Sequence, residues 1–227
     1  MDNVLIWFVF LLVAFSVVLT AYRLFGLMGL YALVAFTIVL ANIQVMKLIE
    51  IFGITLTLGN ILYGTIFFST DIISEFHGKK AARKAVWIGL FALVVSTLYM
   101  QLTLWYTPAP DDFVNEHFAI IFGLFPRIVL ASIVAYCLSQ LLDIWIYTRL
   151  KEKMKNKHLW LRNNVSTMIS QFIDTLIFAV IAFYGLFSFD VFIQIVITTY
   201  VMKFIVAGLD TPFMYLLRGW VRSSSQR

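Results

Sequence analysis

Asn3-Val-Leu-Ile-Trp-Phe-Val-Phe-Leu-Leu-Val-Ala-Phe-Ser-Val-Val-Leu-Thr-Ala-Tyr22 contains no charged side chain. At 1.5 Å per residue, about twenty helical residues cross the roughly 30 Å hydrocarbon core of a bilayer. Comparable runs recur at residues 28 to 48, 58 to 76, 85 to 106, 127 to 149, 165 to 187 and 191 to 217. With 62% hydrophobic and 13% charged residues over 227 positions, the chain has too little polar surface for a soluble domain of its size. The runs lack the strict period-two alternation of membrane barrel strands, so strands are not expected. The reading is an all-α polytopic transmembrane bundle of about seven spans, forming a single transmembrane domain over residues 1–227. The first run lacks the positive leader and small-residue cleavage site of a secretory signal and is read as a retained span. Cys137, the one cysteine, falls within the fifth run and is read as packing.

The net charge of +5 is distributed by side. With seven spans, Arg23, the Lys79–Lys84 cluster, the Arg149–Arg162 cluster and Arg218, Arg222 and Arg227 put 14 of the 17 basic residues on one face. The other face holds Lys47 and Arg127 among Asp2, Glu50, Asp111, Asp112, Glu116 and Asp190. The positive-inside rule makes the basic face cytoplasmic, with the amino terminus outside and the carboxyl terminus inside the cytoplasmic (inner) membrane. The basic residues then set topology against anionic lipid and are not a nucleic-acid surface. Residues 107 to 126 form the long outer loop, with Phe118–Phe125 lying along the interface. Gly78 is expected to close the third span.

Ionisable residues inside spans are the functional signal, since each costs about 2.5 to 3.5 kcal/mol at a helix centre on insertion scales. Asp71 and Glu75 fall in span three, Asp143 in span five, Asp174 in span six, and Lys203 and Asp210 in span seven. The four aspartates occupy one layer in the inner half of the membrane. At about 100° per residue, Asn60, Gly64, Asp71 and Glu75 share a stripe. Ser132, Tyr136, Ser139, Gln140, Asp143 and Tyr147 share another, as do Thr167, Ser170, Gln171 and Asp174, and Thr199, Lys203 and Asp210. Such stripes face inward, away from lipid. Ser139-Gln-Leu-Leu-Asp143 and Ser170-Gln-Phe-Ile-Asp174 repeat one pattern on spans running in opposite directions, and are read as two matching walls of a cavity. Interhelical hydrogen bonding at about 0.6 kcal/mol apiece explains one or two such residues. Four acids around one lysine call for hydration, protonation or a bound group. Gly208-Leu-Asp210-Thr-Pro212 marks a broken helix of the kind that lines substrate sites, or a plain kink.

Enzymatic signatures are missing. His77, His117 and His158 lie in three separate loops without metal-ligand spacing. No nucleophile elbow or phosphate-binding glycine loop occurs. Asp111-Asp112-x-x-x-Glu116 reads as a solvated acidic loop. The class is transporter, without cofactor or metal.

Three blocks carry a family resemblance: Thr70-Asp-Ile-Ile-Ser-Glu-Phe-His-Gly-Lys-Lys-Ala-Ala-Arg83; Pro126-Arg-Ile-Val-Leu-Ala-Ser132 running into Ser139–Asp143; and Leu159-Trp-Leu-Arg162 running through Ser166-Thr to Gln171-Phe-Ile-Asp-Thr175. In order and spacing they resemble the bacterial queuosine precursor transporters, over roughly residues 37 to 215. The resemblance implies a six-span core, to which the amino-terminal span here is additional. It implies uptake of 7-cyano-7-deazaguanine or 7-aminomethyl-7-deazaguanine, salvaged for tRNA modification. The alternative is a transporter or substrate-binding subunit for another vitamin-like or nucleobase solute. Carried over residue by residue, Asp71, Glu75, Gln140, Asp143, Gln171 and Asp174 lead the candidate site, followed by Asn60, Lys203 and Asp210. Phe67, Tyr136 and Phe178 are candidates to stack on the base. The implied partners are the deazapurine and the lipid bilayer, with proton coupling, facilitated exchange and a separate energising subunit all open, as is the oligomeric state.

Overall fold

A computed structural model of the chain describes residues 3–153 and 159–224. Among the described residues there are six helices and one hairpin. They run α1 (Asn3–Gln44), β1 (Leu48–Ile51), β2 (Ile54–Thr57), α2 (Asn60–His77), α3 (Lys79–Leu104), α4 (Asn115–Lys153), α5 (Leu159–Phe183) and α6 (Phe189–Ser224). Asn3–Gln44, Lys80–Leu104 and Asn115–Ser139 are each long and apolar enough to cross a membrane. The expected helical membrane class therefore holds. Two compact units divide the chain, one of Met1–Phe125 with Val201–Arg227 and one of Pro126–Tyr200.

In the first unit, α1 contains 42 residues, roughly 63 Å of straight helix and about twice a bilayer core. It is not straight, because Gly26 at φ 58°, ψ −141° breaks it into two arms. Those torsions are open to glycine and strained for residues with a Cβ. The break falls between the first two expected spans, so α1 supplies both of them. The first arm is packed structure: Trp7, Leu11, Phe15 and Val18 are buried in one core with Ile61, Phe68 and Ile72 of α2. Phe15 meets Phe68 and Phe213 at ring-centroid distances of 5.1 Å each.

Polar contacts fix which ends of these segments coincide. Asn3 Nδ2 donates to the Glu50 carbonyl (2.9 Å) at one end. At the other, Tyr22 Oη and His77 Nε2 are 3.1 Å apart, and Tyr31 Oη donates to the Ala81 carbonyl (3.3 Å). The two α1 arms thus run in opposite directions, α2 parallel to the first and α3 parallel to the second. Gly78 closes α2 as expected, with φ 82° and its N–H bonded to the Ser74 carbonyl (3.1 Å), and α3 starts at the next residue.

Four expectations are corrected. The second span ends at Gln44 and gives way to an antiparallel hairpin, with Leu48 opposite Thr57 and Ile51 opposite Ile54. Its turn residues Phe52 and Gly53 both have positive φ, the geometry that matches the twist of two paired strands. The outer loop is shorter than residues 107 to 126, because α4 begins at Asn115 and contains Phe118–Phe125 and Pro126. Asp112 Oδ1 accepts from the N–H groups of Val114 and Asn115 (3.0 and 3.1 Å), supplying the orphan amides of that helix start. Cys137 is exposed on α4 and does not fill a core position. Finally, α6 stays helical through Pro212, so the expected break is not present there.

In the second unit, buried small side chains recur along both α4 and α5. Ala131, Ala135 and Ser139 on α4, and Thr175, Ala179 and Ala182 on α5, are all buried. Small residues at helical spacing let two membrane helices approach closely, which brings polar groups between them into bonding range. Arg127 ties the same pair: its Nε donates to the Ile181 carbonyl and its Nη2 to the Tyr184 carbonyl, both at 2.6 Å. On the other side of α5, Tyr200 Oη donates to the Met168 carbonyl (3.3 Å), and its ring meets Phe172 edge-on.

Candidate functional site

Across α4 and α5, Ser139, which lies outside the predicted site, meets the predicted site residue Asp174. Ser139 Oγ donates to Asp174 Oδ1 at 3.1 Å and lies equally far from the Tyr136 carbonyl. One hydroxyl proton serves one acceptor at a time, and an ionised carboxylate is the stronger of the two. Ser139 and Ser170 are buried, at 5% and 4% exposure, while Asp174 and Gln171 are half-buried. Gln171 lies one turn before Asp174, on the same helical face. Its side-chain oxygen Oε1 is buried and has no hydrogen-bond partner among the described residues. A buried acceptor left without a donor costs about 1 to 3 kcal/mol. Asp174 and Gln171 thus form an acceptor-rich face, suited to a solute that presents hydrogen-bond donors.

The helix pair also sets depth. From the Ser139–Asp174 bond, each step forward on α4 is matched by a step back on α5. Ala131 then comes level with Ala182, and position 143 level with Ser170. The two aspartate positions are therefore offset by about one turn and do not share one level. The side chains of Gln140, Asp143 and Asp210 lie outside the described residues.

The remaining candidates belong to the first unit. Asn60 is buried at the start of α2, where its Nδ2 donates to the Thr57 carbonyl (3.2 Å) and approaches Thr57 Oγ1 (3.4 Å). That bond ties the helix start to the hairpin. Asp71 and Glu75, further along the same stripe, are exposed. The stripe thus passes from buried to exposed along α2. Lys203 is half-buried on α6. Of the expected ring-stacking residues, Phe178 packs edge-on against Phe183 (5.7 Å), while Phe67 and Tyr136 are exposed.

A groove of 360 Å³ lies at the α3–α4 connection, lined by Thr103, Tyr106, Pro108, Asp112, Asn115 and Phe118 among others. None of its lining residues is a predicted site residue, and Asp112 there is occupied in capping α4. Among the described residues no group of three or more His, Cys, Asp or Glu could hold a metal ion. Sequence reasoning placed Ser139 on a polar stripe without assigning it to the site. The repeated serine four residues before each aspartate was the available signal. It did not register Arg127 as a tie between helices, because a charge count carries no geometry.

Comparison with known proteins identifies the family. Residues 57–217 match the family described as "Putative vitamin uptake transporter". The chain is 43% identical over 216 residues to a protein of Bacillus subtilis (strain 168) named "Probable queuosine precursor transporter", covering 95% of this chain and 94% of the relative. The chain belongs to the queuosine precursor transporter family. It is also similar to the "Queuosine precursor transporter" of Escherichia coli (strain K12), 28% identical over 172 residues and 74% of each chain. A "Probable queuosine precursor transporter" of Haemophilus influenzae is 32% identical over 130 residues, covering 56% of this chain and 52% of the relative. No solved structure matches the chain. Residue for residue, the Bacillus likeness extends beyond the family match into α1, which agrees with the packing of its first arm into the core. Like its family, the chain is a multi-pass membrane protein.

Proposed function

We propose that this chain, acting over residues 1–227 as one transporter domain, imports 7-cyano-7-deazaguanine or 7-aminomethyl-7-deazaguanine for tRNA modification. The observation that carries the reading is the 43% identity, over nearly the whole of both chains, to a relative named for queuosine precursor transport. The chemistry of the α4–α5 seam supports it. A deazaguanine presents its N1–H and exocyclic amine side by side, and a carboxylate accepts such a pair in a fork. The Asp174 carboxylate and the orphaned Gln171 Oε1 are acceptors of the required kind. Gln140 and Asp143 on α4 are assigned to the same task by their place in the repeated motif. Asp71, Glu75 and Asn60 on α2, and Lys203 and Asp210 on α6, are assigned to the solute path. The chain acts as a carrier, not an enzyme, and its work involves no nucleic acid.

In a bacterium that cannot synthesise the precursor, queuosine in bulk tRNA is expected to depend on this protein when external precursor is scarce. Quantifying queuosine with and without the gene tests this. Equal modification in the two strains, with no second importer present, would reassign the chain to another vitamin-like or nucleobase solute. Uptake into vesicles with and without a proton gradient separates a proton-coupled carrier from a facilitator.

The charge asymmetry places the amino terminus outside and the carboxyl terminus in the cytoplasm, in the inner membrane. A reporter fused after Arg227 is expected to score as cytoplasmic and one inserted at Asp111 as external. The reverse pattern refutes the topology. A cytoplasmic amino terminus, with both other sites unchanged, would mean that residues 3 to 22 do not cross.

A further inference from the structure

The motif Ser-Gln-x-x-Asp occurs on both helices of the seam, and the Ser139–Asp174 bond shows how the two copies meet. Because α4 and α5 are antiparallel, the residue-by-residue register sets the motif against itself. Ser139 lies opposite Asp174, and position 143 lies opposite Ser170.

The direction of dependence follows from what each group needs. A serine inside a membrane helix satisfies its hydroxyl on a carbonyl of the preceding turn, and Ser139 has the Tyr136 carbonyl within 3.1 Å for that purpose. It therefore does not need Asp174. A half-buried carboxylate, by contrast, is costly to leave with weak partners. Ser139 is itself buried, so its position is fixed by the small-residue seam and it can hold Asp174 in one orientation. That orientation keeps the carboxylate on the helical face it shares with Gln171, whose Oε1 has no hydrogen-bond donor among the described residues.

We propose that Ser139 is a positioning residue for Asp174, holding its carboxylate so that it and Gln171 present paired acceptors to the donor edge of the substrate. The proposal rests on the reading of Asp174 as a substrate-accepting group.

A double-mutant cycle on the purified full-length protein tests it, with equilibrium binding of radiolabelled 7-cyano-7-deazaguanine as the readout. Ser139→Ala is expected to weaken binding about five- to tenfold and Asp174→Asn about ten- to hundredfold. The double variant is expected to bind within about twofold of Asp174→Asn alone, because the side chain that Ser139 still holds no longer offers the forked acceptor to the substrate. Ser139→Thr, which keeps the hydroxyl, is expected to bind more tightly than Ser139→Ala. In uptake assays Ser139→Ala is expected to raise KM while leaving the maximal rate per inserted molecule near wild type. Multiplicative losses in the double variant, or wild-type binding by Ser139→Ala, would overturn the positioning role while leaving Asp174 in the site. Wild-type binding by Asp174→Asn would overturn the site reading, and the proposal with it.

Discussion

Asp174→Asn and Asp143→Asn are each expected to leave the protein inserted at near-normal levels while abolishing most uptake. Asparagine is nearly isosteric with aspartate but replaces one accepting oxygen with an amide donor. At position 174 the remaining oxygen still accepts from Ser139, so the seam between α4 and α5 keeps its hydrogen bond. What is lost is the forked acceptor for a donor pair. Losing one charged hydrogen bond to a solute costs about 1.5 to 3 kcal/mol, roughly ten- to hundredfold in affinity. Ser132→Ala removes a hydroxyl on the same α4 stripe and is expected to be mild. Uptake of labelled deazaguanine, normalised to protein in the membrane, separates the outcomes. If both asparagine variants transport normally, or fail only by disappearing from the membrane, the acids are architecture and the site lies elsewhere.

Much of the helical framework was legible because apolar length is a strong signal in a bilayer protein and glycine is a sharp stop. The break at Gly26 and the closure at Gly78 fall where the sequence predicts boundaries. The hairpin was not legible, because Leu48-Ile-Glu-Ile-Phe-Gly-Ile-Thr-Leu-Thr57 is nearly as apolar as the helices around it. Hydropathy cannot separate a buried strand from the end of a span. Its clue was β-branched content around Phe52-Gly53. The start of α4 was misplaced for the opposite reason, since Pro126 reads as a helix boundary, yet the structure accommodates it inside the helix. At the site, periodicity correctly grouped Ser139 with the polar face of α4 and Gln171 with Asp174. It could not give the relative depth of two helices, which depends on how their small residues interlock. The contacts that report it, Ser139 with Asp174 and Arg127 with the Ile181 and Tyr184 carbonyls, join residues far apart in the chain, and nothing in the local sequence marks them.

The same register explains why Arg127→Gln is expected to be among the most destabilising single changes in the second unit. The Arg127 guanidinium donates to the carbonyls of Ile181 and Tyr184 at 2.6 Å each. Those carbonyls belong to the last turn of α5 and the residues just after it, where a helix leaves acceptors unsatisfied and its dipole favours a cation. A planar guanidinium can serve two carbonyls at once, whereas lysine brings a point charge that cannot reproduce the fork. Losing both bonds, with the carbonyls left half-covered, costs on the order of 3 kcal/mol. Arg127→Gln is thus expected to lower the melting temperature in detergent and the amount of protein in the membrane, and Arg127→Lys to fall between. Because Arg127 and the Ser139–Asp174 bond lie along one seam, the glutamine variant that does insert is also expected to bind substrate more weakly. Wild-type melting for Arg127→Gln would show that the small-residue seam alone holds α4 against α5.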